Sequence, residues 1–422
     1  MASPNAYAGA NHSSVRRSNR ATIFRAIRAL GPIARIALAR RTLLNAGTVT
    51  NIVDELLDAG LVEETGQGVT RVGRRPVFLE VKPTARYAIG IDIARDAISG
   101  AVVDLAGHQR TRLHEAAGPW LTGEMIRTAA CDVIDRLLTR LSEEERAALI
   151  GVGIGAFGPL SLRSGGFLAP PAFDSWQDLA LKPHIQTHFG LPTFVDNNGN
   201  TGALAELWFG AGQGIENFVF LSLGTGIGGG LVLDGELYRG NHDVAGELGH
   251  ISIDANGPRC ACGNYGCLEL YASVPRVLAA TRAALATGEP SVLRARVHGD
   301  EELTLDAIIT AVHDGDPLTS RVFMAATHAL AVGLVTIINS FDPGVVLLGR
   351  GLASAGDILL DPVRAEVRRR VFPALRDTVR IEATTLSDAP TVGAATLALQ
   401  GFFAAPLAHN TALTYVPNFR PS

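Results

Sequence analysis

Apolar residues recur at helical spacing near the start of this 422-residue chain. Ile23, Phe24, Ile27 and Leu30 fall on one face, and Gly31-Pro32 ends the run. The spacing predicts a second short helix over 34–41. A third is predicted from Asn45, a good helix cap, to Ala59, with Gly60 as its stop. Val49, Ile52, Val53, Leu56 and Leu57 form the apolar face of that helix, while Ala46, Gly47, Thr48, Thr50 and Asn51 sit on the opposite side of its first turns. After Gly60, two strand-like runs flank an arginine-rich turn, Arg71-Val-Gly-Arg74-Arg75-Pro76. Three helices and a two-stranded wing over 20–82 predict a winged helix-turn-helix, preceded by a loose polar arm at 1–19. The turn before the third helix usually holds glycine, and here it holds Leu43.

From Tyr87 the texture changes to buried-strand runs. Ala88-Ile-Gly-Ile-Asp92-Ile is followed by a second apolar run from Ile98 to Gly107, a strand–turn–strand signal. A helix follows near 123–141, then the strand-like Leu149-Ile-Gly-Val-Gly-Ile-Gly. A related opening recurs at 217–235, with the glycine-rich turn Gly224-Thr225-Gly226 and Gly228, Gly229 and Gly230 beyond it. The repetition predicts a duplicated α/β body over 83–403, with two lobes divided near 206 and a tail at 404–422. The cleft between such lobes is the natural ligand site.

Composition agrees with an ordinary globular chain, at 47% hydrophobic and 18% charged residues. No run reaches the roughly 18 uninterrupted apolar residues of a membrane span. The first ten residues lack the apolar core of a secretory signal. A cytoplasmic location, with no membrane partner, is expected. Charge changes the picture of the head. Of 37 Lys/Arg and 41 Asp/Glu, residues 1–82 hold 12 and 6, leaving 25 and 35 for the rest. A basic head on an acidic body suits a polyanion, here DNA. Asn45, Thr48, Thr50 and Asn51 are small or hydrogen-bonding groups suited to base edges and phosphates. Arg71, Arg74 and Arg75 suit a narrow minor groove.

Three of the four cysteines, Cys260, Cys262 and Cys267, fall in Cys-Ala-Cys-Gly-Asn-Tyr-Gly-Cys, with His250 ten residues upstream. Three thiolates and one imidazole make a complete tetrahedral zinc set, and a closed set suggests a structural ion. The alternative is a disulfide with a spare thiol.

Gly224-Thr-Gly-Ile-Gly-Gly-Gly, Ala245-Gly-Glu-Leu-Gly-His250 and Cys260-x-Cys-Gly-x-x-Gly-Cys-x-Glu269 together resemble the signature of the ROK family (repressor, open reading frame, kinase). The resemblance covers about 87–403, and the basic head completes the repressor type. It implies an actin-like, two-lobed fold of the hexokinase superfamily. It also implies zinc at His250, Cys260, Cys262 and Cys267, and a sugar in the cleft. The expected sugar contacts are Asn197, Glu247, His250 and Glu269, with Gly158-Pro159 near the rim.

Three departures lie on the side where a kinase does its chemistry. ROK kinases carry their base aspartate where this chain has Asn198, in Asp196-Asn197-Asn198-Gly199-Asn200. An amide accepts no proton at neutral pH, and losing a general base costs about 10²–10⁴-fold. Asp92 is followed by Ile93-Ala94-Arg95, without the usual phosphate-loop glycine. Leu348-Gly349-Arg350-Gly351 interrupts what is usually a run of three glycines. No catalytic residue is therefore assigned. The expectation is a sugar-responsive repressor, a homodimer or homotetramer on operator DNA, that binds a monosaccharide without phosphorylating it. The alternative is an ATP-dependent, glucokinase-like sugar kinase with an appended DNA-binding domain.

Overall fold

The head forms because its apolar stripes close on one another. Helices α1 (His12–Leu30), α2 (Arg35–Thr42) and α3 (Ala46–Asp58) bury Ile23, Phe24, Ile27, Leu38, Val49, Ile52, Val53 and Leu56 together. Strands β1 (Ile33–Ala34), β2 (Val62–Gln67) and β3 (Val77–Val81) make a small sheet in the order β1-β3-β2, the wing of a winged helix-turn-helix. This computed structural model describes residues 12–67, 76–118, 122–162, 166–167, 179–296 and 303–404. Part of the segment expected as a loose arm, 1–19, is helical, because α1 begins at His12. Arg16 and Arg20 on that early stretch both pair with Glu55 of α3, which holds the extra helical turns in place.

Leu43 ends α2 in the left-handed conformation, with φ of 56°, and is 91% exposed. The position therefore has the geometry of glycine and no packing that favours leucine. Leu43→Gly is expected to stabilise the head by roughly 1 kcal/mol, since a left-handed non-glycine residue costs about 1–2 kcal/mol. Thermal denaturation checks the sign.

The body contains the predicted duplication. In the first lobe, β4 (Tyr87–Ile93), β5 (Ala97–Asp104), β6 (Gln109–Ala116), β7 (Leu149–Ala156) and β10 (Thr193–Asn197) run in the order β10-β7-β4-β5-β6. A short hairpin, β8 (Leu160–Ser161) with β9 (Gly166–Phe167), stands beside it. In the second lobe, β11 (Phe218–Leu223), β12 (Ile227–Leu233), β13 (Glu236–Tyr238), β14 (Val345–Gly349) and β15 (Arg380–Ala383) run β13-β12-β11-β14-β15. Each sheet has one plan: its first strand is central, antiparallel to the second and parallel to the fourth.

Helix Asn198–Phe209 spans the boundary expected near 206, and the second sheet begins at Phe218. The last helix, Ala389–Ala404, returns to pack on β4, β7 and Asn198–Phe209, so the first lobe is discontinuous in sequence. A Cβ at Gly153 of β7 would lie 1.7 Å from the Ala394 carbonyl oxygen, so only glycine lets this helix sit so close. Of the tail expected at 404–422, Ala404 ends this helix and residues 405–422 lie outside the described residues. Helix Pro317–Phe341 is long and apolar enough to cross a membrane, but 61% of its most apolar stretch is buried within the second lobe.

The head is not a separate body. Its buried residues belong to one apolar cluster with Trp208, Phe218 and Phe403 of the body. Phe24 of α1 meets Phe403 with ring centroids 4.3 Å apart, and Arg28 lies 4.5 Å above the Phe209 ring. Arg20 donates to the Phe403 carbonyl at 3.3 Å, and Arg25 reaches Glu236 of β13 at 3.5 Å.

Candidate functional site

The two sheets open toward each other at one cleft of about 880 Å³ including its mouth. The β4–β5 turn brings Ala94 and Arg95 to one wall, and the β11–β12 turn brings Gly224, Thr225 and Gly226 to the other. All four expected sugar contacts, Asn197, Glu247, His250 and Glu269, line this single cleft, as do Gly158 and Pro159. Asn197 is also engaged within the chain. Its Oδ1 accepts from Gly199 N at 2.8 Å, capping helix Asn198–Phe209, and its Nδ2 donates to the Gly158 carbonyl at 3.0 Å. Burial pushes the Glu247 carboxyl up from its ordinary value, with His250 opposing and Glu269 adding to the rise.

The ligating atoms of His250, Cys260, Cys262 and Cys267 all lie within 4.8 Å of one another. The four could hold a metal such as zinc. The chain folds this way because the 259–265 hairpin turns back on itself: Cys260 N donates to the Asn264 carbonyl at 2.7 Å and Gly263 N to the Cys260 carbonyl at 3.0 Å. Gly266 has φ of 61°, and a Cβ there would meet the Asp254 carbonyl oxygen at 1.8 Å. Cys260, Cys262 and Cys267 are all free thiols, so the disulfide alternative is absent from this structure. Burial pushes the Cys267 thiol up to about 12, a penalty that a bound cation reverses by stabilising the thiolate.

His250 faces two ways. Its Nδ1 lies 3.6 Å from Cys260 Sγ, toward the thiols, and its Nε2 lies 3.8 Å from Glu247 Oε2, toward the cleft. An ion held through Nδ1 leaves Nε2 with its proton, as a donor to whatever occupies the cleft. Glu269 Oε1 stands 3.5 Å from Cys260 Sγ and 3.6 Å from His250 Nδ1, so the metal cluster and the cleft share a wall.

Sequence reasoning missed what the opposite side of the cleft does. Arg350 reaches from the end of β14 to Asp92 at the end of β4, at 2.7 Å, and stands 3.8 Å from Asp388. Asp92 is 1% exposed, and burial pushes its carboxyl up to about 6 against the pull of Arg350. The glycine-run departure at 350 was visible in sequence, but its partner lies 258 positions away. Asp196, two residues before Asn198, is engaged within the chain. It is 2% exposed, accepts from Asn197 N and Asn200 Nδ2, both at 2.8 Å, and pairs with Arg239 at 2.8 Å. Asn198 itself does line the cleft.

On the head, Asn45 caps α3 by accepting from Thr48 N at 2.8 Å, so that oxygen is engaged within the chain. Thr50 and Asn51 are exposed on the same helix, and Thr48 is half-buried. Arg71, Arg74 and Arg75 lie outside the described residues.

Two duplicated lobes, with the β4–β5 and β11–β12 hairpins facing across a cleft, define the actin-like class of the hexokinases. The ROK family profile matches residues 88–401, and this chain belongs to the ROK family. A xylose repressor of Bacillus spizizenii is 33% identical over 93% of this chain and 98% of its own length. Among solved structures, a ROK family transcriptional regulator described as a homologue of the E. coli Mlc protein is 28% identical. It superposes with a TM-score of 0.77, covering 92% of this chain and 98% of that one. A ROK glucokinase from Streptomyces griseus, solved with glucose and AMPPNP, is 32% identical with a TM-score of 0.67. It covers all of that chain but 75% of this one, since the N-terminal head extends beyond the kinase.

Proposed function

We propose that the chain is a cytoplasmic, sugar-responsive transcriptional repressor. The head binds a palindromic operator as part of a homodimer or homotetramer. The cleft binds a monosaccharide without phosphorylating it, through Asn197, Glu247, His250 and Glu269. A structural zinc at His250, Cys260, Cys262 and Cys267 fixes the imidazole against the sugar. Thr48, Thr50, Asn51 and the Asn45 end of α3 meet the major groove, and Arg71, Arg74 and Arg75 meet the minor groove or phosphates. The similarity of full-length regulators supports the class, and the xylose repressors make D-xylose the first effector to test.

One observation carries the coupling. Helix Ala389–Ala404 starts beside buried Asp388, 3.8 Å from the cleft residue Arg350, and near its other end carries Phe403 against the head. There Arg20 joins the Phe403 carbonyl to Glu55 of α3. A sugar that favours one lobe arrangement therefore acts on the helix that presents Thr50 and Asn51. A preference of about 5.5 kcal/mol is enough to invert a 1:99 equilibrium. Electrophoretic shift with DNA from upstream of its own gene tests the reading. D-xylose, glucose or N-acetylglucosamine is expected to weaken the complex at least about tenfold, a coupling in the usual 1–3 kcal/mol range. If no sugar alters DNA affinity, the sensor reading fails.

The likeness to a glucokinase holding AMPPNP favours a second reading, an ATP-dependent sugar kinase with an added head. A coupled ADP-release assay separates the two. No sugar-dependent turnover is expected; rates of about 1–100 s⁻¹, typical of kinases, that fall in Asn198→Ala would establish the kinase instead.

A further inference from the structure

Resting on the reading of a cleft that takes sugar alone, we propose that Arg350 is an internal counter-ion for Asp92 and Asp388, standing where a magnesium nucleotide would need its charge, and that it is the residue that excludes one.

Three independent features of this residue agree. The first is geometric. One guanidinium nitrogen of Arg350 lies 2.7 Å from Asp92 Oδ2 and 3.8 Å from Asp388 Oδ1. Both carboxylates are buried, at 1% and 2% exposure, so the pair needs a positive charge wherever the acids are ionised. Arg112 approaches Asp388 at 3.6 Å, on its other carboxylate oxygen, and no other ion pair reaches Asp92 among the described residues. The second is conformational. Arg350 has φ of 59°, the left-handed region that favours glycine, and Gly351 beside it has φ of 43°. A long side chain held there marks a position whose function outweighs backbone comfort. The third is topological. Arg350 follows β14 of the second lobe and Asp92 ends β4 of the first, so the ion pair crosses the cleft floor. These are the two segments whose glycines are altered relative to the ROK kinases. Here they are joined to each other, and neither presents bare backbone to a phosphate.

Divalent cations and polyphosphates ask for this same arrangement: two carboxylates for the ion, and glycine backbone for the phosphate oxygens. With the arginine in place, a guanidinium supplies the counter-charge of the acids at ion-pair distance, and its side chain lines the cleft. Arg95, whose guanidinium carbon comes within 3.7 Å of the Gly226 Cβ position, narrows the facing turn further.

Calorimetric titration of the full chain with Mg²⁺·AMPPNP, and with MgCl₂ alone, tests this. Wild type is expected to show no heat of binding up to millimolar ligand. Arg350→Gly, which suits the positive φ, is expected to gain Mg²⁺-dependent AMPPNP binding at least about tenfold tighter. Arg350→Gln, which keeps the bulk and loses the charge, is expected to gain Mg²⁺ binding, seen also as a rise in melting temperature with MgCl₂ that wild type lacks. Wild type binding Mg²⁺·AMPPNP as tightly as Arg350→Gly would overturn the proposal. So would both variants, folded by circular dichroism, remaining silent to nucleotide and metal. Parallel D-xylose and glucose titrations keep the two readings apart: loss of sugar binding in wild type counts against the sensor, while a gain of nucleotide binding in Arg350→Gly still supports the counter-ion.

Discussion

Phe403→Ala is expected to destabilise the chain by about 3–5 kcal/mol, the cost of removing a fully buried aromatic ring. Phe403 is 0% exposed, and its ring lies against Phe24 of α1, Phe402 and Trp208 of the body. The void would open at the seam between head and body, so neither side can collapse into it without pulling from the other. Two consequences separate this from an ordinary core mutation. Wild type should unfold in one transition, because head and body share a cluster; Phe403→Ala should split it, with the head melting first. DNA affinity should fall less than the sugar effect on it, because the operator-facing residues of α3 are untouched while their link to the cleft is lost. Denaturation followed by circular dichroism and by DNA binding reads both. A single unsplit transition with unchanged sugar response would show that the seam carries no coupling.

The second large effect concerns the cysteine cluster. Cys262→Ser is expected to abolish stoichiometric zinc, measured by elemental analysis. It should also weaken sugar binding by roughly ten- to a hundredfold, the range for lost support of a metal site. The argument runs through His250: without an ion on Nδ1, either ring nitrogen can carry the proton, and the imidazole loses its fixed face toward the cleft. Cys262 itself is a cleft residue, and its Sγ lies 3.6 Å from Cys267 Sγ, so the wall and the ion are disturbed together. Operator binding in the absence of sugar should survive, because α3 and the wing lie at the far end of helix Ala389–Ala404. Full sugar response in a zinc-free variant would refute the clamp.

Much of this protein is legible in its sequence because local signals point one way. The heptad-like stripe of Val49, Ile52, Val53 and Leu56 gave α3 to within a residue at each end, since its cap, its buried face and its glycine stop are all nearby in the chain. The metal cluster was equally legible: a Cys-x-Cys knuckle needs only a tight turn, and the glycines that allow it are adjacent. The helix within the expected arm has a long-range cause, since it is held by Glu55 of α3, some 40 residues on. The return of helix Ala389–Ala404 to the first lobe has no local signal, because its partners on β4 and β7 lie more than 200 residues upstream.

Sequence alone determined the element types, the duplicated plan and the His/Cys cluster, since periodicity and residue chemistry are local properties. Tertiary structure decided the rest. It set Arg350 against Asp92, paired Asp196 with Arg239, and fused a head that reads as separate onto Phe403. Ion pairs and shared cores are made between segments hundreds of residues apart, and no local pattern records which partner the fold will bring.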